Sequence, residues 1–409
     1  MLRQSEARGQ AATPATPFVF SPSHPPRPYS AMKTLRYAKR LIGFESASHL
    51  SNRMICKYLQ LKLVKHGFIV EKLEYRDSNR VRKVCLVAKK GAGQGGLAFF
   101  AHTDTVPAEE WFSRKYGPFE PAVARERLYG RGSCDMKGSI ACMLTAAQRF
   151  PWEALSEPLY LVFTSDEEVG FHGARYVADQ SKTYREMVDH GTRGVIGEPT
   201  GLEVVHAHKG LCIFTVTSQG KAAHSSTRMG RNSNLAMIPF LADMKRIHDE
   251  IESDSAWQND QFDPPTLSWN IVIDDANQAV NVTSPKTVCR VYTRPMPGID
   301  IQPLIDRTRQ SAEENDLDIS VFNPPGILNT SRDNEFLNQT LELVHRKQPR
   351  TVAYGTDGGT FSEMENLIVY GPGHIAQAHT RDEWISIEQL NLGTEMYTRL
   401  IEHWCCRHD

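Results

Sequence analysis

The sequence predicts an α/β protein: a discontinuous domain with a mixed, mostly parallel sheet, interrupted by a small α+β domain. Three observations carry this. Short apolar runs alternate with helix-like segments over the first half of the chain, the pattern of βα units. From about Gly210 the texture changes to strands with few helices, and after residues 323–325 the α/β pattern resumes. At 409 residues the chain is also long enough for two domains.

Taken in order, residues 1–31 hold Pro14, Pro17, Pro22, Pro25, Pro26 and Pro28 with a single acidic residue, Glu6. Such a segment cannot bury enough apolar surface to order itself and reads as a disordered N-terminal extension. It lacks the apolar run of a secretory signal, and its prolines oppose the amphipathic helix of a transit peptide. Residues 32–65 are patterned as helix, with Leu41, Ile55, Leu59, Leu61 and Leu63 among polar residues. Runs at 84–88, 97–101, 159–163 and 195–196 read as strands, and 138–150 and 172–180 as helices. In the interrupting domain, 211–218, 266–273, 287–293 and 319–322 read as strands, and 233–247 and 303–313 as helices. The expected boundaries are therefore 32–209, 210–323 and 324–409.

Lys and Arg number 47 against 48 Asp and Glu, a net charge of −1, so the chain has no electrostatic footprint for nucleic acid or anionic lipid. The eight cysteines form no C-x-x-C pair, which points to free thiols in a reducing compartment rather than a zinc ribbon. No apolar stretch approaches the length of a membrane span. The expectation is a soluble, cytoplasmic protein without nucleic-acid or membrane partners.

Ligands of open α/β sheets bind outside the carboxyl ends of the strands. Here LAFFA runs into His102-Thr103-Asp104, LYLVFTS into Asp166-Glu167-Glu168, and GVI into Gly197-Glu198. Asp135 stands in GRGSCDMKG ahead of a helix, and His379 in GPGHIAQAH. Any one of these alone would be a turn or cap residue. Five converging on one sheet edge suggest a metal centre, and imidazole with carboxylate oxygen suits zinc. Two ions roughly 3.5–4 Å apart need one bridging carboxylate with terminal ligands on each side. Asp135 fits the bridge, with His102 and Glu198 on one metal and Glu168 and His379 on the other. Asp104, two residues from His102 on an extended segment, can accept the other ring N–H of that histidine. Glu167, adjacent to a ligand but projecting elsewhere, suits a general base for water held between the metals.

The motifs AHTDTVP, GRGSCDMKG, SDEEVG, GEPTG, GKAAHSS and GPGHIAQAH, in this order over roughly 40–400, resemble the acetylornithine deacetylase and succinyl-diaminopimelate desuccinylase family. These are dinuclear-zinc deacylases and peptidases that also include aminoacylases and glutamate carboxypeptidases. The resemblance implies a catalytic domain in two parts and an inserted lid and dimerisation domain at 210–323. It implies the same five metal ligands, two Zn2+ with Co2+ as a substitute, and the same roles for Asp104 and Glu167. It further implies a homodimer in which His224, from GKAAHSS, donates to the substrate oxyanion in the partner's site, with Asn281 and Arg294 binding the substrate carboxylate. Tyr292 stands two before Arg294 where relatives usually carry Asp, a departure that bears on the arginine's orientation.

HAHKG, TRPMPG and GPGHIAQAHTRDEWI look most like acetylornithine deacetylase, whereas the loop GTDGGTF (355–361) has some desuccinylase character. Its glycines, Gly358 among them, allow close backbone approach to a ligand, and Asp357 is the expected partner of a distal substrate ammonium. The expected reaction is hydrolysis of a small N-acyl amino acid, N2-acetyl-L-ornithine first, in arginine biosynthesis. A desuccinylase, a metallo-dipeptidase or an aminoacylase is the alternative.

Overall fold

The apolar runs form the middle of an eight-stranded sheet. Its spatial order is Ile69–Arg76, Arg82–Lys90, Leu159–Thr164, Leu97–His102, Arg193–Ile196, Leu367–Val369, Val205–His208 and Arg350–Val352. In this computed structural model, residues 28–407 are described, apart from 114, 278 and 325. Most of the expected 1–31 extension therefore lies outside the described residues.

The four central strands, from Leu159–Thr164 to Leu367–Val369, pair in parallel, while Ile69–Arg76 and Arg82–Lys90 add an antiparallel edge. Parallel strands are covered on both faces, which is why they read as continuous apolar runs. Leu97, Phe99 and Ala101 face a core shared with helices Pro28–Ile42, Arg53–Lys65, Gly138–Ala147 and Ile387–Cys405. Ala98 and Phe100 face the opposite core, with helices His172–Gln180 and Lys182–Asp189.

Between Val205–His208 and the last two strands of that sheet, the chain builds a separate antiparallel sheet in the order Asn270–Asp274, Lys286–Thr293, Cys212–Gln219, Asp318–Phe322. Cys212, Phe214, Val216, Cys289 and Val291 alternate onto one face and pack against helices Ser233–Ser253 and Gln302–Glu314. The other face is left for the site described below. Among the described residues, no helix is long and apolar enough to cross a membrane.

Several elements differ from the sequence expectation. The helical pattern of 32–65 is two helices, and the first starts earlier, at Pro28. The segment between them is tied to a strand end instead, with Ser46 Oγ donating to Thr103 O at 2.7 Å and Ser48 Oγ to Asp104 Oδ2 at 2.8 Å. The strand expected at 266–273 is confined to Asn270–Asp274, because Thr266 O and Leu267 O accept from Lys209 and Arg294 rather than from a ladder. Val205–His208 is a further strand that no apolar run predicts, because it buries two histidines. Each satisfies its Nδ1 on a carbonyl oxygen, His206 on Thr330 at 2.7 Å and His208 on Lys209 at 2.8 Å.

One buried ion pair sets the turn that leaves strand Leu159–Thr164. Lys83 Nζ lies 2.7 Å from Asp166 Oδ1 and also donates to Ser48 O and Leu50 O, while Tyr75 Oη donates to Asp166 Oδ2 at 2.7 Å. Removing one partner of such a pair leaves an uncompensated buried charge. Lys83→Met is expected to cost on the order of 3–5 kcal/mol in urea unfolding at pH 7. A loss below about 1 kcal/mol, the range of exposed pairs, would contradict this account of the turn.

Candidate metal centre

The carboxyl ends of the parallel strands deliver His102, the turn 166–168 and Glu198 to one place, and the segment after Leu367–Val369 brings His379. Two donor groups result that could each hold a metal ion: His102, Asp135 and Glu198, and Asp135, Glu168 and His379. Asp135 belongs to both. Its Oδ1 lies 2.9 Å from His102 Nε2 and its Oδ2 lies 3.3 Å from His379 Nε2. Glu198 Oε1 is 3.5 Å from His102 Nε2, and Glu168 Oε2 is 3.0 Å from His379 Nε2. A donor set of imidazole nitrogen and carboxylate oxygen, with one carboxylate turned towards both histidines, fits a pair of divalent cations.

The electrostatics say the same. Burial and the neighbouring Asp135 carboxylate push Glu198 well above the usual carboxylate range, and they raise Glu168 as well. Burial also acts on Asp135, but hydrogen bonds from His102 and His379 outweigh it and hold that carboxyl low. Hydrogen bonds to Asp135 and Glu168 raise His379 to about 10. His102 is only 1% exposed; burial pulls it down, but Glu198, Asp104 and Asp135 together pull it up further. The cluster holds more carboxylates than imidazoles and draws positive charge.

Glu167 is the remaining carboxylate. Burial, with Glu198 and Glu168 nearby, raises it well above the ordinary range although His102 opposes this. Among the described residues, no hydrogen bond or ion pair engages its carboxylate group. Asp104 stays beside His102 and also holds a turn. His102 Nδ1 donates to the backbone carbonyl of Asp104 at 3.1 Å, while the Asp104 carboxylate is 3.6 Å away. That carboxylate also accepts from Ser48 Oγ and from the backbone N–H groups of Glu167 (3.3 Å) and Glu168 (3.4 Å). It thus orients the turn carrying both glutamates.

The centre opens into a cavity of about 530 Å³. Asp135, Glu167, Glu168, Glu198 and His379 form its floor, and the free face of the four-stranded sheet forms a wall. Ile213 pairs with Tyr292 on one side and Phe322 on the other, so the three side chains make an apolar row across three strands. Arg294 follows on the same face. Its guanidinium lies 5.0 Å from the Tyr292 ring centre, and no carboxylate among the described residues is within ion-pair distance. Tyr292 therefore carries Arg294 by a cation–π contact, which leaves the charge available to the cavity.

Other expected residues lie elsewhere. Asp357 is 2% exposed and does not line the cavity; its Oδ2 accepts from Thr164 Oγ1 at 2.5 Å, and its Oδ1 is buried without a partner among the described residues. Gly358 is packed against His208 and Ile196, and Gly355 is the glycine of the loop that reaches the wall. On this geometry Asp357 is held by Thr164 rather than presented to the cavity. His224 and Asn281 do not line their own chain's cavity. They sit together on the outer edge of the four-stranded domain, where Ser225 N donates to Asn281 O at 2.9 Å and His224 bridges to Val282.

A site of this kind on an open α/β sheet defines a metal-dependent hydrolase. The profile of Peptidase family M20/M25/M40 matches residues 98–403. An acetylornithine deacetylase of Myxococcus xanthus is 30% identical over 377 residues, covering 89% of this chain and 96% of that protein. Another, of Vibrio atlanticus (strain LGP32), is 29% identical over 353 residues, covering 83% and 88%. The fold is similar to that of a di-peptidase of Saccharomyces cerevisiae, with TM-score 0.73 and 12% identity over 92% of this chain and 96% of that one. It is also similar to a dinuclear metal binding peptidase of Bacillus subtilis, with TM-score 0.58 and 14% identity over 91% and 98%. The chain belongs to Peptidase family M20/M25/M40, a metal-dependent family, and is a hydrolase acting on amide bonds.

Two outcomes test this geometry. Because Asp135 serves both donor groups, Asp135→Ala should bind almost no metal, whereas Glu198→Ala should retain about one equivalent by elemental analysis. Equal occupancy in the two variants would contradict a shared ligand. Burial raises Asp357 to about 7 against the opposing Thr164 hydroxyl, from roughly 3.9 in an unfolded chain. Folding then favours the neutral acid, so its contribution is complete below about pH 4 and is lost as pH rises towards 7. Asp357→Asn should flatten the fall in stability of the metal-free protein between those values and leave KM unchanged. An unaltered slope or a raised KM would restore a role at the cavity.

Proposed function

We propose that the protein removes the acyl group from a small N-acyl amino acid, with N2-acetyl-L-ornithine as substrate and acetate and L-ornithine as products, a step of arginine biosynthesis. The observation that carries the reading is the shared Asp135 between two donor groups, with the unengaged Glu167 beside them on the cavity floor. The named relatives over most of the chain support the acetylornithine assignment.

His102, Asp135 and Glu198 would hold one Zn2+ and Asp135, Glu168 and His379 the other, with Co2+ able to substitute. Bound there, the pair would supply Lewis acidity to the amide carbonyl and acidify water. Glu167, its carboxylate unengaged on the cavity floor, takes the proton of the attacking water and returns it to the leaving nitrogen. Arg294 receives the substrate carboxylate through its planar fork, steadied by Tyr292.

His224 and Asn281 act from the second subunit of a homodimer formed through the inserted domain. His224 donates to the carbonyl oxygen as its negative charge develops. Exposed Met229, Val272, Ile273, Val280 and Val282 around that edge support a second copy as partner.

A second reading is favoured by the apolar row of Phe322, Ile213 and Tyr292. The carboxylates lining the cavity are all at the metal centre, so the wall suits a neutral side chain as in an aminoacylase substrate. Turnover of N2-acetyl-L-ornithine, N-acetyl-L-leucine and N-succinyl-LL-2,6-diaminopimelate by zinc-loaded protein separates these. Preference for acetylornithine by about a hundredfold in kcat/KM, roughly 2.7 kcal/mol, is the expected result. Preference for either other substrate replaces it. Glu167→Gln should lower kcat by about 10²–10⁴-fold with metal content retained, and near-normal kcat would remove Glu167 as the base.

A further inference from the structure

Glu383 lies four residues beyond His379, is 1% exposed, and is neither a candidate ligand nor part of the cavity wall. Both of its carboxylate oxygens are spent on one turn. Oε2 accepts from Gly132 N and from Arg131 Nη1, each at 2.8 Å, and Oε1 accepts from Cys134 N at 2.9 Å and Asp135 N at 3.1 Å. The Glu383 backbone joins in, its carbonyl accepting from Gly130 N at 3.1 Å. Arg131 Nη1 in turn donates to Thr380 O at 3.1 Å, on the residue that follows His379.

This turn has no regular ladder to occupy its amides. Gly132 has φ 80°, and Asp135, at φ −121° and ψ 95°, departs from helical geometry. Buried N–H groups must be paired, and here one side chain pairs those of Gly132, Cys134 and Asp135. Hydrogen bonds to an ionised acceptor are the strong ones. Arg131 compensates the buried negative charge and carries the link onward to the His379 segment.

We propose that Glu383 is a positioning residue of the metal centre. Through the backbone of 132–135 and through Arg131 it fixes the shared ligand Asp135 relative to the terminal ligand His379, so that the two donor groups are set before a metal arrives. This rests on the reading that both groups hold metal ions. In Glu383→Gln, one acceptor oxygen becomes an NH2 facing backbone N–H groups, so the turn cannot be satisfied as before.

The test is Co2+ binding to chelator-stripped protein, followed by visible absorption and calorimetry, for the wild type, Glu383→Gln and Phe240→Ala. Phe240 is fully buried in the core of the four-stranded domain, so its loss destabilises the fold away from the ligands. Far-UV circular dichroism of the metal-free proteins sets a temperature at which all three are folded. Glu383→Gln should bind Co2+ about 10–100-fold more weakly, the range for residues that orient metal ligands. Phe240→Ala, with a comparable fall in Tm, should keep wild-type affinity. Wild-type affinity in Glu383→Gln, or equal weakening in Phe240→Ala, would overturn the proposal. Absence of Co2+ binding by the wild type would overturn the metal reading and this proposal with it, a result distinct from the other two.

Discussion

The structure turns on one carboxylate that faces two ways. Asp135 puts one oxygen within 2.9 Å of His102 Nε2 and the other within 3.3 Å of His379 Nε2, joining two donor groups into one centre. The arrangement gathers Asp135, Glu168 and Glu198, with Glu167 alongside, in a buried space where unpaired negative charge is costly. The neighbouring elements answer that cost. Asp104 holds the turn of Glu167 and Glu168, Glu383 holds the turn of Asp135, and Lys83 compensates Asp166 at the start of the glutamate turn.

The sheet makes this possible at long range in sequence. Parallel strands packed on both faces place residues near 102, 167 and 198 side by side at their carboxyl ends. The four-stranded sheet is built on the opposite logic. One face is closed by two helices, and the other presents Phe322, Ile213, Tyr292 and Arg294 to the cavity. The donor groups thus come from strand ends of one sheet, and a wall of the cavity from a face of the other.

Much of the site was legible because ligands at strand ends follow directly on strong apolar runs. His102, Glu168 and Glu198 could be placed from that pattern alone, and Asp135 and His379 from the company they keep. What escaped depends on contacts between distant segments. Glu383, in TRDEWI, looks like one charge among several until its oxygens meet the amides of 132–135. Lys83 lies just outside the apolar run 84–88, and nothing in that run marks it as buried. Asp357, on a glycine-rich loop, carried no sign that Thr164 would hold it in a buried position. Tyr292 could be noticed as a departure, but its support of Arg294 needed the register of the sheet.

The most direct test of the central claim is metal titration of the chelator-stripped enzyme, following amide hydrolysis of N2-acetyl-L-ornithine as Zn2+ is added. A centre built on a shared Asp135 predicts no turnover without metal and recovery that saturates at two equivalents per chain. Full activity in the stripped protein, or saturation unrelated to occupancy of both donor groups, would contradict it.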